Sequence, residues 1–285
     1  MPKQLQEYHR PADWETAQEI LARQDLRAAP LFLSPRPQAF EDWPVDAIVD
    51  LSRLGLDTIK EESGFIKLGV LVSLQTIVES TLLKSHFHGI LSECAEFSGT
   101  LGLRNHANLG GALMDQSGPC ELILALLVLD AIVMVHTRQG DLKPVTLSEF
   151  IAGKTALTPG DIACEIHIAS ASKVTDGEAL VRVARTPRDQ AIVAVVTYLE
   201  MENNVASTVR VAVAGASPLP ERVKQVEQLL SGHPQSPDLI EKAASLAQDW
   251  AHPVGDFRGS AEYRKAMAGT LVRRALLAVC RQFAP

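Results

Sequence analysis

A glycine pair preceded by polar side chains is the feature of this sequence with the clearest chemical potential. The stretch GLRNHANLGGAL carries Arg104, Asn105 and Asn108 just before Gly110 and Gly111. Glycine lets a main chain approach a ligand closely, and guanidinium and amide groups donate hydrogen bonds to anions. If a helix begins here, its first amides add to that donor set. The pattern indicates a pyrophosphate site, with a plain turn as the open alternative.

Strands and helices must position this loop. DAIVDLS and FIKLGVLV predict strands before it, and CELILALLVLD predicts a helix after it. Beyond residue 131, β-branched segments between turn residues predict hairpins, and the tail predicts three amphipathic helices. Asp13, Ser236 and Ser260 are candidate helix caps. The run AIVAVVTYLEME fits either a long strand or a buried helix, because periodicity does not separate the two.

Composition excludes several classes of function. The chain has 285 residues, 46% of them hydrophobic, and a formal net charge of −7. A sizeable hydrophobic core is expected. The net negative charge argues against direct binding of nucleic acid. The longest apolar run is too short to span a bilayer and the N-terminus lacks a signal-peptide pattern, so we expect a cytoplasmic protein without membrane insertion.

No catalytic residue and no metal site is predicted. The four cysteines are too widely spaced for a metal site and are expected to be reduced: Cys94, Cys120, Cys164 and Cys280. His86 and His88 in SHFHG could share one face of a strand, but no third ligand has matching spacing. We interpret them as part of a surface turn. Arg273 and Arg274 in the last helix, with Arg264 and Lys265 before them, predict a solvated stripe or a contact with a partner subunit.

Taken together, the ordered motifs carry a family resemblance. LRNHANLGGAL, CELILALLVLDAIVMV, LTPGDIACEIHI, ALVRVARTPRDQAIVAVV and PVGDFRGSAEYRKAMAGTLVRRAL occur in order over nearly the whole chain. This sequence resembles the FAD-binding medium subunit of molybdenum hydroxylases, the family of the flavin subunits of carbon monoxide dehydrogenase and xanthine dehydrogenase.

The resemblance implies an α+β fold with two parts. Residues 1–172 would form a vanillyl-alcohol-oxidase-type FAD-binding domain made of two α/β subdomains. Residues 173–285 would form the smaller α+β C-terminal domain of these flavin subunits. The implied function is electron transfer from iron–sulfur clusters through FAD to an acceptor. The implied partners are a molybdopterin-binding large subunit and an iron–sulfur small subunit.

The resemblance also assigns cofactor-binding residues. The second pyrophosphate loop of the family would run from Arg104 to Gly111. Glu121 would stand where the family commonly has an aspartate near a flavin ribityl hydroxyl. The implied FAD-binding set is Arg104, Asn105, Asn108, Leu109, Gly110, Gly111, Glu121 and Ile166. Gly111→Val is then expected to remove flavin from a protein that stays folded.

The first glycine-rich loop of the family is replaced in this chain. Its alanine-glycine-glycine-threonine pattern is exchanged for Ser34, Pro35, Arg36 and Pro37. Prolines lack the N–H groups that would hold phosphate, and only Arg36 offers a charged substitute. Two hypotheses follow: the chain binds FAD through the second loop and a remodelled first loop, or it is a relative without FAD that acts as a scaffold or assembly partner.

Overall fold

The structure is a computed structural model that describes residues 5–35, 45–115, 120–154, 157–170, 176–186 and 189–283. The elements before residue 116 are β1 (Glu7–His9), α1 (Trp14–Leu21), β2 (Ala28–Pro30), β3 (Ala47–Val49), β4 (Ile59–Glu62), β5 (Phe65–Gly69), α2 (Leu74–Glu79), α3 (Thr81–Ser85), α4 (Ile90–Glu96), α5 (Leu101–His106) and α6 (Leu109–Met114). The elements after residue 119 are α7 (Glu121–Val128), β6 (Ile132–His136), β7 (Leu142–Thr146), α8 (Leu147–Ile151), β8 (Ile162–Ala169), β9 (Asp176–Val183), β10 (Val193–Glu202), β11 (Val205–Ala214), β12 (Glu221–Arg222), α9 (Lys224–Leu230), α10 (Pro237–Trp250) and α11 (Ala261–Cys280).

Two sheets form the first unit, which comprises residues 1–76, 101–115 and 131–169. One sheet has three parallel strands in the order β1-β3-β2. The other has five antiparallel strands in the order β4-β5-β8-β6-β7. The glycine pair lies in this unit, between the chain that leaves β2 and the chain that leaves β5.

A four-stranded antiparallel sheet organises the second unit, which comprises residues 77–100, 116–130 and 170–285. Its strand order is β12-β11-β10-β9. Helices α9, α10 and α11 share one buried apolar core with this sheet. The two units interleave along the chain, and residues 171–175 lie outside the described residues. The predicted domain boundary between residues 172 and 173 therefore stays a prediction.

The ambiguous apolar run is a strand. Val193, Val195 and Leu199 of β10 belong to the core that contains α10 and α11. Ala194 and Val196, at the alternate positions, are buried as well, and α7 contacts β10. Because both faces of the strand are covered, its sequence is continuously apolar instead of alternating.

The three predicted helix caps are confirmed. The side chains of Asp13, Ser236 and Ser260 each accept a hydrogen bond from the amide three residues later, at 2.8, 3.3 and 3.2 Å. Each bond satisfies an amide that the helix itself leaves without an acceptor. Within the described residues, no helix is both long and apolar enough to cross a membrane.

The prediction of a solvated stripe is wrong for Arg264. This residue is only 4% exposed, and its Nη1 donates to the carbonyl oxygens of Ile192 and Gly215. Its Nη2 donates to Asp256 Oδ1 at 2.7 Å. The guanidinium therefore satisfies buried main-chain acceptors of the second unit, which gives the buried charge a structural role.

A buried ion pair in the same unit predicts a pH effect. Burial acts to raise the pKa of Glu227, but hydrogen bonds from Arg222 and from the Val211 amide outweigh it and hold the pKa below its usual value. A lowered pKa in the folded state stabilises the protein above the unfolded-state pKa, and this contribution is lost as the pH falls. Glu227→Gln should cost about 2 kcal/mol of unfolding free energy at pH 7.

Urea unfolding at a series of pH values measures this effect. The difference between wild type and Glu227→Gln should shrink as the pH falls from 7 to about 3. Exposed Glu202→Gln, in the same sheet, controls for the loss of one carboxylate. A difference that stays constant over this range would contradict the assignment.

Candidate functional site

The predicted pyrophosphate loop consists of two short helices joined by a tight connection. Arg104 and Asn105 lie on α5, where Asn105 is exposed and Arg104 is partly buried. The Arg104 Nε atom donates to Gln75 Oε1 at 2.9 Å. Asn108, Leu109, Gly110 and Gly111 are all buried. The predicted residues therefore divide into two solvent-accessible side chains and a buried turn.

Asn108 ties this turn to the chain that leaves β2. Its Oδ1 accepts from the Gly111 amide at 2.8 Å, which caps α6, and from the Leu33 amide at 3.3 Å. Its own amide donates to the Leu33 carbonyl at 2.9 Å. Both main-chain groups of Leu33 are thus fixed by one residue, so Asn108 positions the start of the segment that replaces the first glycine-rich loop.

The amides of the glycine turn already have acceptors within the protein. The Leu109 amide donates to Val72 O at 3.0 Å, and the Gly110 amide donates to Val70 O at 2.7 Å. With the bonds made by Asn108 and Gly111, four consecutive amides point to protein oxygens. A phosphate at this turn would have to share donors that are already in use. The described turn therefore fits a positioning role better than direct contact with a diphosphate.

The glycine pair is required by packing inside the chain. A Cβ atom on Gly110 would lie 2.6 Å from the Phe32 ring. A Cβ atom on Gly111 would overlap the carbonyl group of Leu33 and lie 2.5 Å from the Ser34 amide nitrogen. Gly111→Val is therefore expected to destabilise the fold as well as to affect flavin binding, because the added atoms would meet main chain that cannot move aside cheaply.

The replaced first loop begins with a polar contact that the sequence analysis missed. Ser34 Oγ donates to Asp115 Oδ2 at 2.6 Å, and Asp115 is 6% exposed at the end of α6. Pro35 is buried. Arg36 and Pro37 lie outside the described residues. The only available signal for Asp115 was its position shortly after the glycine pair.

Glu121 belongs to the second unit and pairs with Arg182. Its carboxylate accepts from Arg182 Nε at 2.7 Å, and the two side chains are 3% and 11% exposed. The Arg182 guanidinium also donates to the Asp189 carbonyl and lies 4.4 Å from the centre of the Phe97 ring. Opposite charge and the cation–π contact both stabilise this arrangement. A cofactor role for Glu121 stays a prediction.

Ile166 lies in β8 and is fully buried in the first unit. It pairs with Leu68 of β5 and Val133 of β6 in the five-stranded sheet. Ile166 therefore packs in the core of this sheet. Its contact with a cofactor stays a prediction.

The fold and the paired loops define the class of this protein: an α+β chain with an FAD-binding-type domain followed by a flavoprotein C-terminal domain. Residues 3–170 match the FAD binding domain in molybdopterin dehydrogenase, and residues 178–279 match the CO dehydrogenase flavoprotein C-terminal domain. The chain belongs to the family of FAD-binding subunits of molybdopterin dehydrogenases, as its resemblance indicated.

Characterised relatives cover most of the chain. The nicotine 6-hydroxylase medium subunit of Paenarthrobacter nicotinovorans is 28% identical over 81% of this chain and 81% of its own length. The carbon monoxide dehydrogenase medium chain of Afipia carboxidovorans is 25% identical over 95% of both chains. A solved carbon monoxide dehydrogenase from Hydrogenophaga pseudoflava superposes with a TM-score of 0.87 over 99% of both chains at 23% identity. This match confirms the predicted fold class.

Proposed function

We propose that this chain is the FAD-binding electron-transfer subunit of a molybdenum hydroxylase-like complex. The observation that carries the proposal is the ordered match of both family domains, which together span residues 3–170 and 178–279. Two relatives that match four-fifths of the chain or more are named nicotine 6-hydroxylase medium subunit and carbon monoxide dehydrogenase medium chain. FAD, when bound, accepts and passes on electrons one or two at a time.

The proposed partners are a large molybdopterin-binding subunit and a small iron–sulfur subunit. One relative is named as the alpha subunit of a dehydrogenase complex, and others are named medium chains. The cysteines of this chain are poor candidates for cluster ligands. Burial raises the pKa of Cys94 well above its usual value and that of Cys164 to about 12, which disfavours the thiolate form that binds metal. The clusters are therefore assigned to another subunit.

The chain's own contribution to FAD binding is proposed in two parts. Asn108, Gly110 and Gly111 fix the segment at Leu33 by hydrogen bonds and close packing. Arg104, on the neighbouring helix α5, supplies positive charge for the diphosphate. A buried turn that positions one loop and a charged side chain beside it fit a diphosphate, but with fewer direct main-chain donors than two glycine-rich loops provide.

A specific observation also favours a second candidate function. The amides at 108–111 all donate within the protein, and prolines stand in the replaced first loop. A chain with this donor set could retain the family fold for subunit assembly alone. Under this hypothesis the protein binds its partner subunits but not FAD.

Titration of the flavin-free protein with FAD and FMN separates the two candidates. The flavin subunit should quench FAD fluorescence and bind FAD more tightly than FMN, because FMN lacks the diphosphate bridge. Arg104→Gln should weaken FAD binding by about tenfold, the worth of one charge-assisted hydrogen bond. Exposed Arg53→Gln, in the same unit, should leave the affinity unchanged.

Two outcomes would contradict parts of this account. If Arg104→Gln and Arg53→Gln change the FAD affinity equally, Arg104 does not contribute to the FAD site, although the proposed flavin function still stands. Absence of FAD binding in the wild-type protein would favour the scaffold function instead.

A further inference from the structure

An exposed aromatic side chain lies at the tip of the loop that joins α10 to α11 in the second unit. Phe257 is 86% exposed and Val254 is 76% exposed, and these are the two most exposed large hydrophobic side chains of the described residues. Single exposed apolar residues are ordinary on protein surfaces, but two in one short loop form a candidate binding surface. We call residues 252–259 the Phe257 loop.

The Asp256 carboxylate holds the Phe257 loop in a defined turn. Its Oδ1 accepts hydrogen bonds from the amides of Arg258 and Gly259 at 2.9 and 3.1 Å and from Arg264 Nη2 at 2.7 Å. Its Oδ2 accepts from Arg258 Nε at 3.0 Å. The main chains of Asp256 and Gly259 also exchange two hydrogen bonds. The ring is therefore presented on a turn that is already ordered, which lowers the entropy cost of binding.

Two guanidinium groups flank the Phe257 ring. The Arg258 Cζ atom lies 5.4 Å and the Arg185 Cζ atom 6.0 Å from the ring centre. The Arg185 side chain is 59% exposed, and its ion pair with Asp189 at 3.4 Å is open to solvent. Arg258 shares the Asp256 carboxylate with a second arginine, so this carboxylate cannot neutralise both. The surface around the ring therefore has a positive character.

These charges restrict the class of partner. The chain carries a net charge of −7, so an anionic membrane surface repels it overall. A second copy docked through the same loop in a two-fold arrangement would set arginines against arginines, which costs affinity. A polypeptide with an apolar pocket and carboxylates at its rim complements both the ring and the guanidinium groups.

We propose that the Phe257 loop docks a partner subunit, with the Phe257 ring entering an apolar pocket whose rim carries carboxylates. Aromatic and arginine side chains carry much of the binding energy in protein interfaces, and this loop presents both. Phe257 is the buried anchor, and Arg185 supplies charge that guides association. The inference rests on the proposed assembly into a complex, and it holds for both candidate functions, because each requires partner subunits.

Binding of the full chain to the large and small subunits from its own source organism tests this docking surface. Phe257→Ser should weaken the complex by at least about thirtyfold, the effect of losing a central anchor. Leu142→Ser removes a side chain that is 55% exposed in β7 of the first unit, and it should change the affinity by less than about twofold. Both variants should unfold at the same urea concentration as wild type, because neither side chain is buried.

The outcomes of this experiment are distinct. Equal affinities of wild type and Phe257→Ser would overturn the docking surface and leave the proposed complex intact. Failure of the wild-type chain to bind either subunit would overturn the proposed complex and this inference with it.

Arg185→Gln tests the acidic rim of the pocket. The change should slow association by about threefold at low salt, and the difference should vanish at about 1 M NaCl, where charges are screened. Exposed Arg53→Gln, in the first unit, should leave the rate within about twofold of wild type. An unchanged or faster association rate for Arg185→Gln would contradict a partner with carboxylates at this contact.

Two further measurements test the other occupants. Sedimentation of the chain alone should give the same species for wild type and Phe257→Ser, and neither should float with vesicles of phosphatidylcholine and phosphatidylserine. Self-association that Phe257→Ser abolishes would assign the loop to a second copy of the chain. Vesicle binding that Phe257→Ser abolishes would assign it to a membrane surface. Either result would overturn the proposal.

Discussion

Gly111→Val is expected to lower the free energy of unfolding by about 3 kcal/mol, the upper range for overpacking a well-packed site. The valine Cβ would overlap the Leu33 carbonyl group and lie 2.5 Å from the Ser34 amide nitrogen. Main-chain atoms of Leu33 are held by two hydrogen bonds to Asn108, so they cannot yield without losing those bonds as well. Urea unfolding followed by circular dichroism measures the loss.

Gly102→Ala provides the matched control in the same segment. Gly102 lies on α5, and a Cβ atom there would meet nothing within 4 Å. Alanine should stabilise this helix by about 0.5 to 1 kcal/mol. Equal stability of Gly111→Val and wild type would contradict the packing role of the glycine pair. If Gly111→Val is as stable as wild type but loses flavin, Gly111 contacts the cofactor directly.

Arg182→Met is expected to lower the free energy of unfolding by about 3 to 5 kcal/mol. The change keeps an apolar stem but removes the charge that faces the Glu121 carboxylate, which is 3% exposed. A buried carboxylate that loses a directly bonded guanidinium is costly in a low-dielectric surrounding. The Asp189 carbonyl also loses a donor, and the Phe97 ring loses its cation–π contact.

A double-mutant cycle separates the ion pair from these other contacts. Arg182→Met combined with Glu121→Gln should recover most of the loss, because no buried charge is left behind. Arg185→Met is the control, since its ion pair with Asp189 is solvent-exposed and should contribute less than about 1 kcal/mol. Additive losses in the double variant would contradict a direct coupling between Glu121 and Arg182.

The sequence was sufficient to predict the fold class and many local features. Side-chain caps such as Ser236 and Ser260 depend on contacts within three residues, so local sequence reveals them. The β10 run was ambiguous, because strands buried on both faces lose the alternation that identifies a strand. The packing of α7 on one face of β10 and of α10 and α11 on the other identifies the run as a buried strand.

The function of the glycine pair could not be predicted from its pattern. Glycine serves both for close approach to a ligand and for close packing of two chain segments. The partner of Gly111 is Leu33, 78 positions earlier in the chain, and no local signal reports this contact. Arg264 illustrates the same limit, because its acceptors, the carbonyl oxygens of Ile192 and Gly215, become neighbours only in the folded sheet.

The arrangement at Asn108 gives the flavin proposal a structural basis. One asparagine holds both main-chain groups of Leu33 and caps α6, so the two loop segments form one unit. Ser34 and Asp115 join the same segments by a second contact of 2.6 Å. The segment that begins at Leu33 and the glycine turn are therefore held together by two separate side-chain contacts.

The most direct test of the central claim is the flavin content of the purified chain. Its visible absorption spectrum should be recorded before and after addition of FAD, followed by denaturation and identification of the released flavin. The account predicts a flavin spectrum and release of FAD in a one-to-one ratio with the chain. A colourless protein that takes up no added FAD would contradict it and would favour the alternative in which the family fold serves subunit assembly.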